Sequence, residues 1–124
     1  MQYWVESEDL WAANEAGVVW HGRPDGRPAI SAVLLPGTED AVVILSAKGL
    51  RRPLGELKRW PNLVRVRPDG TIVWRASADP TSTEGDGWTS VGIEGDTLHG
   101  FTWSCYVCQI DPKSGSVLSR VFTK

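Results

Sequence analysis

At 124 residues and a formal net charge of −2, the chain fits one domain and carries no basic excess of the kind that binds nucleic acid or an anionic membrane. No stretch approaches the roughly 20 apolar residues of a membrane-spanning helix, and Met1–Trp11 lacks the basic region and apolar core of a secretory signal, so a cytoplasmic protein is expected. Two cysteines are too few for a disulfide framework, whereas 13 glycines and eight prolines spread along the chain suit short strands and tight turns.

In chain order, Tyr3–Glu6 reads as the start of a strand, and Leu10–Ala13 with Val18–His21 as a hairpin turning at Asn14-Glu15-Ala16-Gly17. His21–Pro28 holds two glycines and two prolines and is a loop. Ile30–Leu35 and Ala41–Leu45 flank a turn at Pro36–Asp40. Lys48–Pro61 breaks this rhythm, with one helical turn expected at Leu54–Trp60 and a basic group of Arg51, Arg52, Lys58 and Arg59. The clearest hairpin is Asn62–Ala76, where two β-rich runs meet at Pro68-Asp69-Gly70. Ser77–Gly87 is polar, without an apolar anchor, and is expected to be a mobile loop. Trp88–Ile93 and Leu98–Trp103 then flank Glu94-Gly95-Asp96, and Tyr106–Ile110 and Val117–Phe122 flank Asp111–Gly115.

These runs assemble into repeats. Ile30–Leu35, Ala41–Leu45, Leu63–Val66 and Thr71–Ala76 form one four-stranded unit; the four runs from Trp88 to Phe122 form a second. The N-terminal hairpin is the outer half of a third. Four antiparallel strands per unit, with units roughly 45 residues apart, is the signature of a propeller blade. The expected fold is therefore all-β: two four-stranded antiparallel propeller-like repeats plus an N-terminal hairpin, forming an incomplete propeller or a sandwich. Residues 1–124 make a single β domain, with a half repeat at 1–28, repeat one at 29–78 and repeat two at 87–124. Such units bury their apolar faces only against neighbours, and open edges template aggregation. The remedies open to the chain are a flattened sandwich, a ring completed by two chains, a partner over the open side, or pairing of the N-terminal hairpin with the last strand.

The turns carry a resemblance. The chain resembles the quinoprotein-like (PQQ-type) propeller repeat, whose outer hairpin has a pattern near Asp-x-x-(Thr/Ser)-Gly-x-x-x-Trp, the tryptophan docking between neighbouring blades. Asp111, Ser114 and Gly115 match, with Ser119 at the tryptophan position; Asp69, Gly70 and Trp74 match with a shorter turn; Gly17 and Trp20 match more loosely. The resemblance implies the repeat but not the chemistry. The family's large dehydrogenases hold a quinone and a calcium ion in a closed ring of about eight blades, whereas this chain has room for two and a half and lacks that cofactor constellation. No cofactor is expected.

The candidate chemical groups are sparse. Cys105-Tyr-Val-Cys108 is a C-x-x-C without the second ligand pair of a structural zinc site, and no helix N-terminus is expected beside it to activate a thiol. Two ordinary cysteines are the expectation, and no metal site. His99 alternates with apolar residues in Leu98-His99-Gly100-Phe101; as a catalyst it needs a nucleophile or a carboxylate partner. Glu6, Glu8, Asp9 and Glu15 cluster near the N-terminus, while Glu84, Asp86, Glu94 and Asp96 fall in loops without calcium-loop spacing. There is no phosphate loop, no G-x-S-x-G and no H-E-x-x-H. Of the seven tryptophans, Trp20, Trp74 and Trp103 sit at strand positions where packing in the core or between units is expected; Trp4, Trp11, Trp60 and Trp88 lie near strand starts or in the irregular segment.

The function these features favour is a non-catalytic protein-binding module, in one version a bacterial immunity or antidote protein that covers the active site of a toxin. The expected partner is another protein or a second copy of the chain as a homodimer, with neither nucleic acid nor membrane. The residues expected to bind it are Trp4, Glu6, Glu8, Asp9, Trp11, Trp60 and Trp88, since tryptophans anchor interfaces and acidic groups steer basic partners. The alternatives are a small-ligand site with Trp88, His99 and Trp103 at its mouth, and a small enzyme using His99 with a loop carboxylate.

Overall fold

The computed structural model describes residues 1–47, 61–78 and 87–123. The helical turn expected at Leu54–Trp60, with Arg51, Arg52, Lys58 and Arg59, lies outside the described residues, as does most of the polar loop, 79–86. The described strands are β1 (Gln2–Glu6), β2 (Asp9–Asn14), β3 (Gly17–Gly22), β4 (Ala29–Leu34), β5 (Ala41–Leu45), β6 (Leu63–Val66), β7 (Ile72–Ala76), β8 (Trp88–Glu94), β9 (Thr97–Thr102), β10 (Tyr106–Ile110) and β11 (Val117–Phe122). A 3₁₀ turn at Pro24–Gly26 precedes β4. The strands form three antiparallel sheets in chain order: sheet A (β1-β2-β3), sheet B (β4-β5-β6-β7) and sheet C (β8-β9-β10-β11).

The N-terminal unit is thus a three-stranded sheet, one strand more than the expected hairpin. β1 pairs with β2 from Gln2↔Ala13 to Glu6↔Asp9. Their turn is Ser7-Glu8, and both residues have positive φ, 52° and 67°. Tight hairpins need that left-handed pair, but the usual signal for it is Asn-Gly or Asp-Gly. Ser-Glu carries no such signal, so the pairing was hidden in the sequence. Sheet A does not pair with the last strand; β11 is an edge of sheet C.

The three sheets stack. β5, Ala-Val-Val-Ile-Leu, is buried at every residue, as a continuous apolar run requires when both sheet faces are covered. Val42 and Ile44 join Leu63, Trp74, Trp88, Leu98 and Ile110 in a core between sheets B and C. Ala41, Val43 and Leu45 join Leu10, Val64 and Val66 in a second core between A and B. Period-two alternation therefore divides one strand between two cores. At the inner edges, β4 packs on β1, and β8 packs on β4 and β5. Asn62 ties sheets B and C there: its side chain donates to the carbonyl of Trp88 at 2.9 Å and accepts from the Trp88 amide at 3.0 Å.

An indole laid on a turn glycine joins each sheet to the next. Trp20 of β3 lies against Gly70, in the β6–β7 turn; a Cβ built there would come within 2.4 Å of its ring. Trp74 of β7 lies in the same way on Gly115, in the β10–β11 turn, where a Cβ would meet the ring at 2.6 Å. Both glycines have positive φ, +85° and +79°, so turn geometry and ring contact each require the missing side chain. The Trp74 indole N–H also donates to the Pro112 carbonyl at 2.8 Å. Arg65 donates to that same oxygen at 2.7 Å while its other nitrogens hold Asp40. The docking role that the resemblance implied for Trp20 and Trp74 is what the structure has.

Tyr3 fixes sheet A to sheet B at the other end. Its ring packs on the A–B core and its hydroxyl donates to the Glu39 carbonyl at 2.6 Å. Burial, then the nearby charges of Asp40, Glu39 and Asp69, push its pKa up to about 12.

Two outcomes follow from this packing. Gly95 also has positive φ but open space around it, so Gly95→Ala carries only left-handed strain, about 1–2 kcal/mol. Gly115→Ala adds the collision with Trp74 and is expected to lose about 1–3 kcal/mol more. Urea unfolding of both variants checks this, and equal losses would contradict the docked indole. For Tyr3, a pKa higher in the folded than in the unfolded state means stability that is intact below about pH 10 and lost as pH rises towards about 12. Unfolding measured across that window should show the loss in the parent protein and a shallower one in Tyr3→Phe; identical slopes would place the loss elsewhere.

Candidate functional site

Stacking leaves the outer faces of sheets A and C uncovered by other described residues. On sheet A the register aligns Trp4 with Trp11 and Trp11 with His21, one residue on each strand. The three rings stack: Trp4 and Trp11 at 6.0 Å and 12°, Trp11 and His21 at 4.2 Å and 11°. Period-two alternation sends Tyr3, Leu10, Ala12 and Trp20 to the core and these three rings outward. The Trp11 indole N–H is buried without a hydrogen-bond partner among the described residues.

Acids border this ladder. Glu6 and Asp9 are directly paired across β1 and β2, and Glu8 sits in the turn between them. Arg23 reaches both, donating through Nε to Asp9 at 2.8 Å and lying 3.9 Å from Glu8. Among the described residues this end of the face gathers three carboxylates around the Arg23 guanidinium. At the opposite end Gln2 pairs with Ala13, and a shallow cavity of ≈ 250 Å³ opens beside Met1, Gln2, Ala13, Asn14 and Glu15.

The outer face of sheet C is different. Phe101, Val107 and Val121 form a row across β9, β10 and β11, with Phe101 40% and Val121 61% exposed. Trp103, in the β9–β10 turn, is 81% exposed. It was expected to pack in the core or between units; β9 ends at Thr102, one residue before it, and the turn leaves its ring in solvent. His99 lies on this face with Glu94 at 4.0 Å, the loop carboxylate that a His99 enzyme would call on. The Glu94 side chain is largely solvent-exposed and that of His99 partly so.

Of the residues expected to bind a partner, Trp4, Glu6, Glu8, Asp9 and Trp11 come together on sheet A. Trp60 lies outside the described residues. Trp88 is a correction: it is 3% exposed, on the inner face of sheet C, its indole donating to the Ala76 carbonyl at 3.0 Å. Gly100, two residues from its strand partner Thr102 on β9, leaves the space its ring fills. That burial also separates the expected ligand mouth, since Trp88 faces the core, His99 faces out and Trp103 stands in a turn. Sequence reasoning placed His21 where the Val18–His21 strand meets the following loop and left it out of the binding residues; it is the third ring of the ladder. Cys108 is buried in the core and Cys105 is exposed in a turn at φ 68°, and no disulfide joins them. Among the described residues no three His, Cys, Asp or Glu side chains are grouped to hold a metal, and no helix is long and apolar enough to cross a membrane.

No curated protein matches this chain. Among solved structures it is similar to BamB from Moraxella catarrhalis at 16% identity with a TM-score of 0.58, a likeness of fold. That match covers 99% of this chain and 35% of the other, so the chain spans about a third of its neighbour's length. Residues 30–122, from β4 through β11, match the family described as "Domain of unknown function (DUF7957)", and the chain belongs to that family.

Proposed function

We propose that this protein is a non-catalytic binding module that docks another protein on the outer face of sheet A. The observation that carries this reading is the Trp4–Trp11–His21 ladder on a sheet face that no other described strand covers, flanked by Glu6, Glu8 and Asp9. Aromatic side chains bury large area at small entropic cost and dominate binding energy where water is excluded. The acidic border favours a partner with a basic surface, chiefly by speeding encounter and fixing orientation. An immunity or antidote protein is the specific version of this reading: the aromatic ladder seats against a basic toxin and the body of the sheet covers its active site.

The experiment is co-purification of the partner from source cells, its identification, and measured binding to surface variants. Trp4→Ala is expected to weaken binding at least tenfold through faster dissociation. Glu6→Lys should slow association, with the difference shrinking as salt rises. Trp103→Ala and Phe101→Ala should leave both rates unchanged. The converse pattern would move the site to sheet C, and a stable dimer in light scattering that takes up no other protein would favour self-association.

A further inference from the structure

Each joint between sheets has two halves, an indole and the turn it rests on, and register places both. In all three sheets a bulge interrupts the pairing of the last two strands, and one equivalent position follows it. Trp20 opposite Ala12, Trp74 opposite Arg65 and Ser119 opposite Gln109 occupy that position. Four residues before it stand Ala16, Gly70 and Gly115. Trp20 rests on Gly70 and Trp74 on Gly115, so the joint runs in one direction, from each sheet to the next. Both inner joints are complete. The halves that face away from the stack, Ala16 on sheet A and Ser119 on sheet C, are the two that differ.

We propose that these two differences close the ends of the stack, so that no further blade, from a second copy of this chain or from another propeller-type protein, adds to sheet A or sheet C in blade order. Ala16 carries the Cβ that Gly70 and Gly115 lack, and a Cβ built at those glycines lies 2.4 and 2.6 Å from the docked ring. Ala16 is exposed and its φ is not positive. Its turn, residues 14–17 between Ala13 and Val18, is also shorter than the turns 67–71 and 111–116. An indole arriving there meets a side chain where Trp20 and Trp74 lie on bare backbone. On sheet C, Ser119 is exposed and sets a hydroxymethyl group where a ring would reach outward. Stacked repeats with complete joints at both ends go on adding copies of themselves, which is why terminal units need a different surface. A ring completed by two chains therefore lacks its joint at each seam. Whatever docks on the Trp4–Trp11–His21 face is held by that face, without an indole seated in the turn beside it.

The test restores one half of the joint on each of two chains. No natural partner enters, so its result is independent of the Trp4→Ala experiment. The S119W chain supplies the ring. In the second chain, residues 14–17 are replaced by the sequence of the 111–116 turn, which sets its glycine two residues before Val18, as Gly115 stands before Val117. Urea unfolding establishes that each variant is folded, and each alone should sediment as the parent chain does. Mixed, they should form a one-to-one pair about tenfold or more tighter than any pairing of the parent. The same transplant built with Gly115→Ala should not pair. Ala16→Gly, which leaves the turn length alone, is a second recipient and should recover part of that affinity. The proposal is overturned if folded S119W pairs with neither recipient. It is equally overturned if S119W associates as tightly with the unaltered chain, since Ala16 and its short turn would then be no barrier.

Discussion

A turn residue without a Cβ is the constraint on which this structure depends. Gly70 and Gly115 each let an indole from the preceding sheet lie directly on backbone, and that contact sets how closely the sheets approach. The cores between them then fill to fit: Val42 and Ile44 on one side of β5, Val43 and Leu45 on the other. At the B–C joint the Pro112 carbonyl accepts from both the Trp74 indole and Arg65, using both lone pairs of one oxygen. Arg65 is largely buried with Asp40, an arrangement tolerated because its nitrogens are satisfied by carboxylate and carbonyl together. A polar network thus anchors the tryptophan that the glycine admits.

The two outward faces are not copies of the inward ones. Inward faces present chiefly branched aliphatics, with the docking indoles Trp20 on sheet A and Trp74 on sheet B. The outer face of sheet A presents aromatic rings stacked on one another with acids at one end, and that of sheet C presents a row of Phe101, Val107 and Val121 with Ser119 at the docking position. The difference in chemistry is what favours sheet A for a basic, aromatic-seeking partner. The family match covers β4 to β11, so the proposed face belongs to the stretch of chain that precedes the matched residues.

Much of the fold was legible because its turns use conventional chemistry. Asp69-Gly70, Gly95 and Gly115 announced their hairpins, and the alternating runs around them fixed the two four-stranded units. The β1–β2 turn was silent because Ser7 and Glu8 adopt left-handed geometry without glycine or asparagine. The tryptophans show where one-dimensional reading ends. Trp88 looked like a strand-start residue near the surface, and its burial depends on Gly100, twelve residues away and across a strand pair. Trp103 looked packed and is not, because β9 ends one residue earlier. The candidate site was legible in part: Trp4, Trp11 and the acids were visible, but their shared face with His21 is a matter of register between strands, which composition does not carry.

The double burial of β5 has a consequence for how the molecule opens. Every sheet is built from chain-adjacent strands, so each can form and melt largely by itself, and the sheets couple only through stacking. Sheet B is held by two such interfaces, sheets A and C by one each. Release of sheet A alone exposes the A–B core, Leu10 with Tyr3, Val5 and Trp20 and their counterparts on β4 to β7, and leaves the B–C core and the Trp74 joint intact. The lowest-lying partly unfolded state accessible by losing a single interface is therefore a terminal sheet peeling away. Should that sheet be A, anything bound to its outer face would act on the folding equilibrium of the N-terminal third as well as on recognition. A partner there would register as slowed hydrogen exchange through β1–β3, far more than as a change in the middle of the stack.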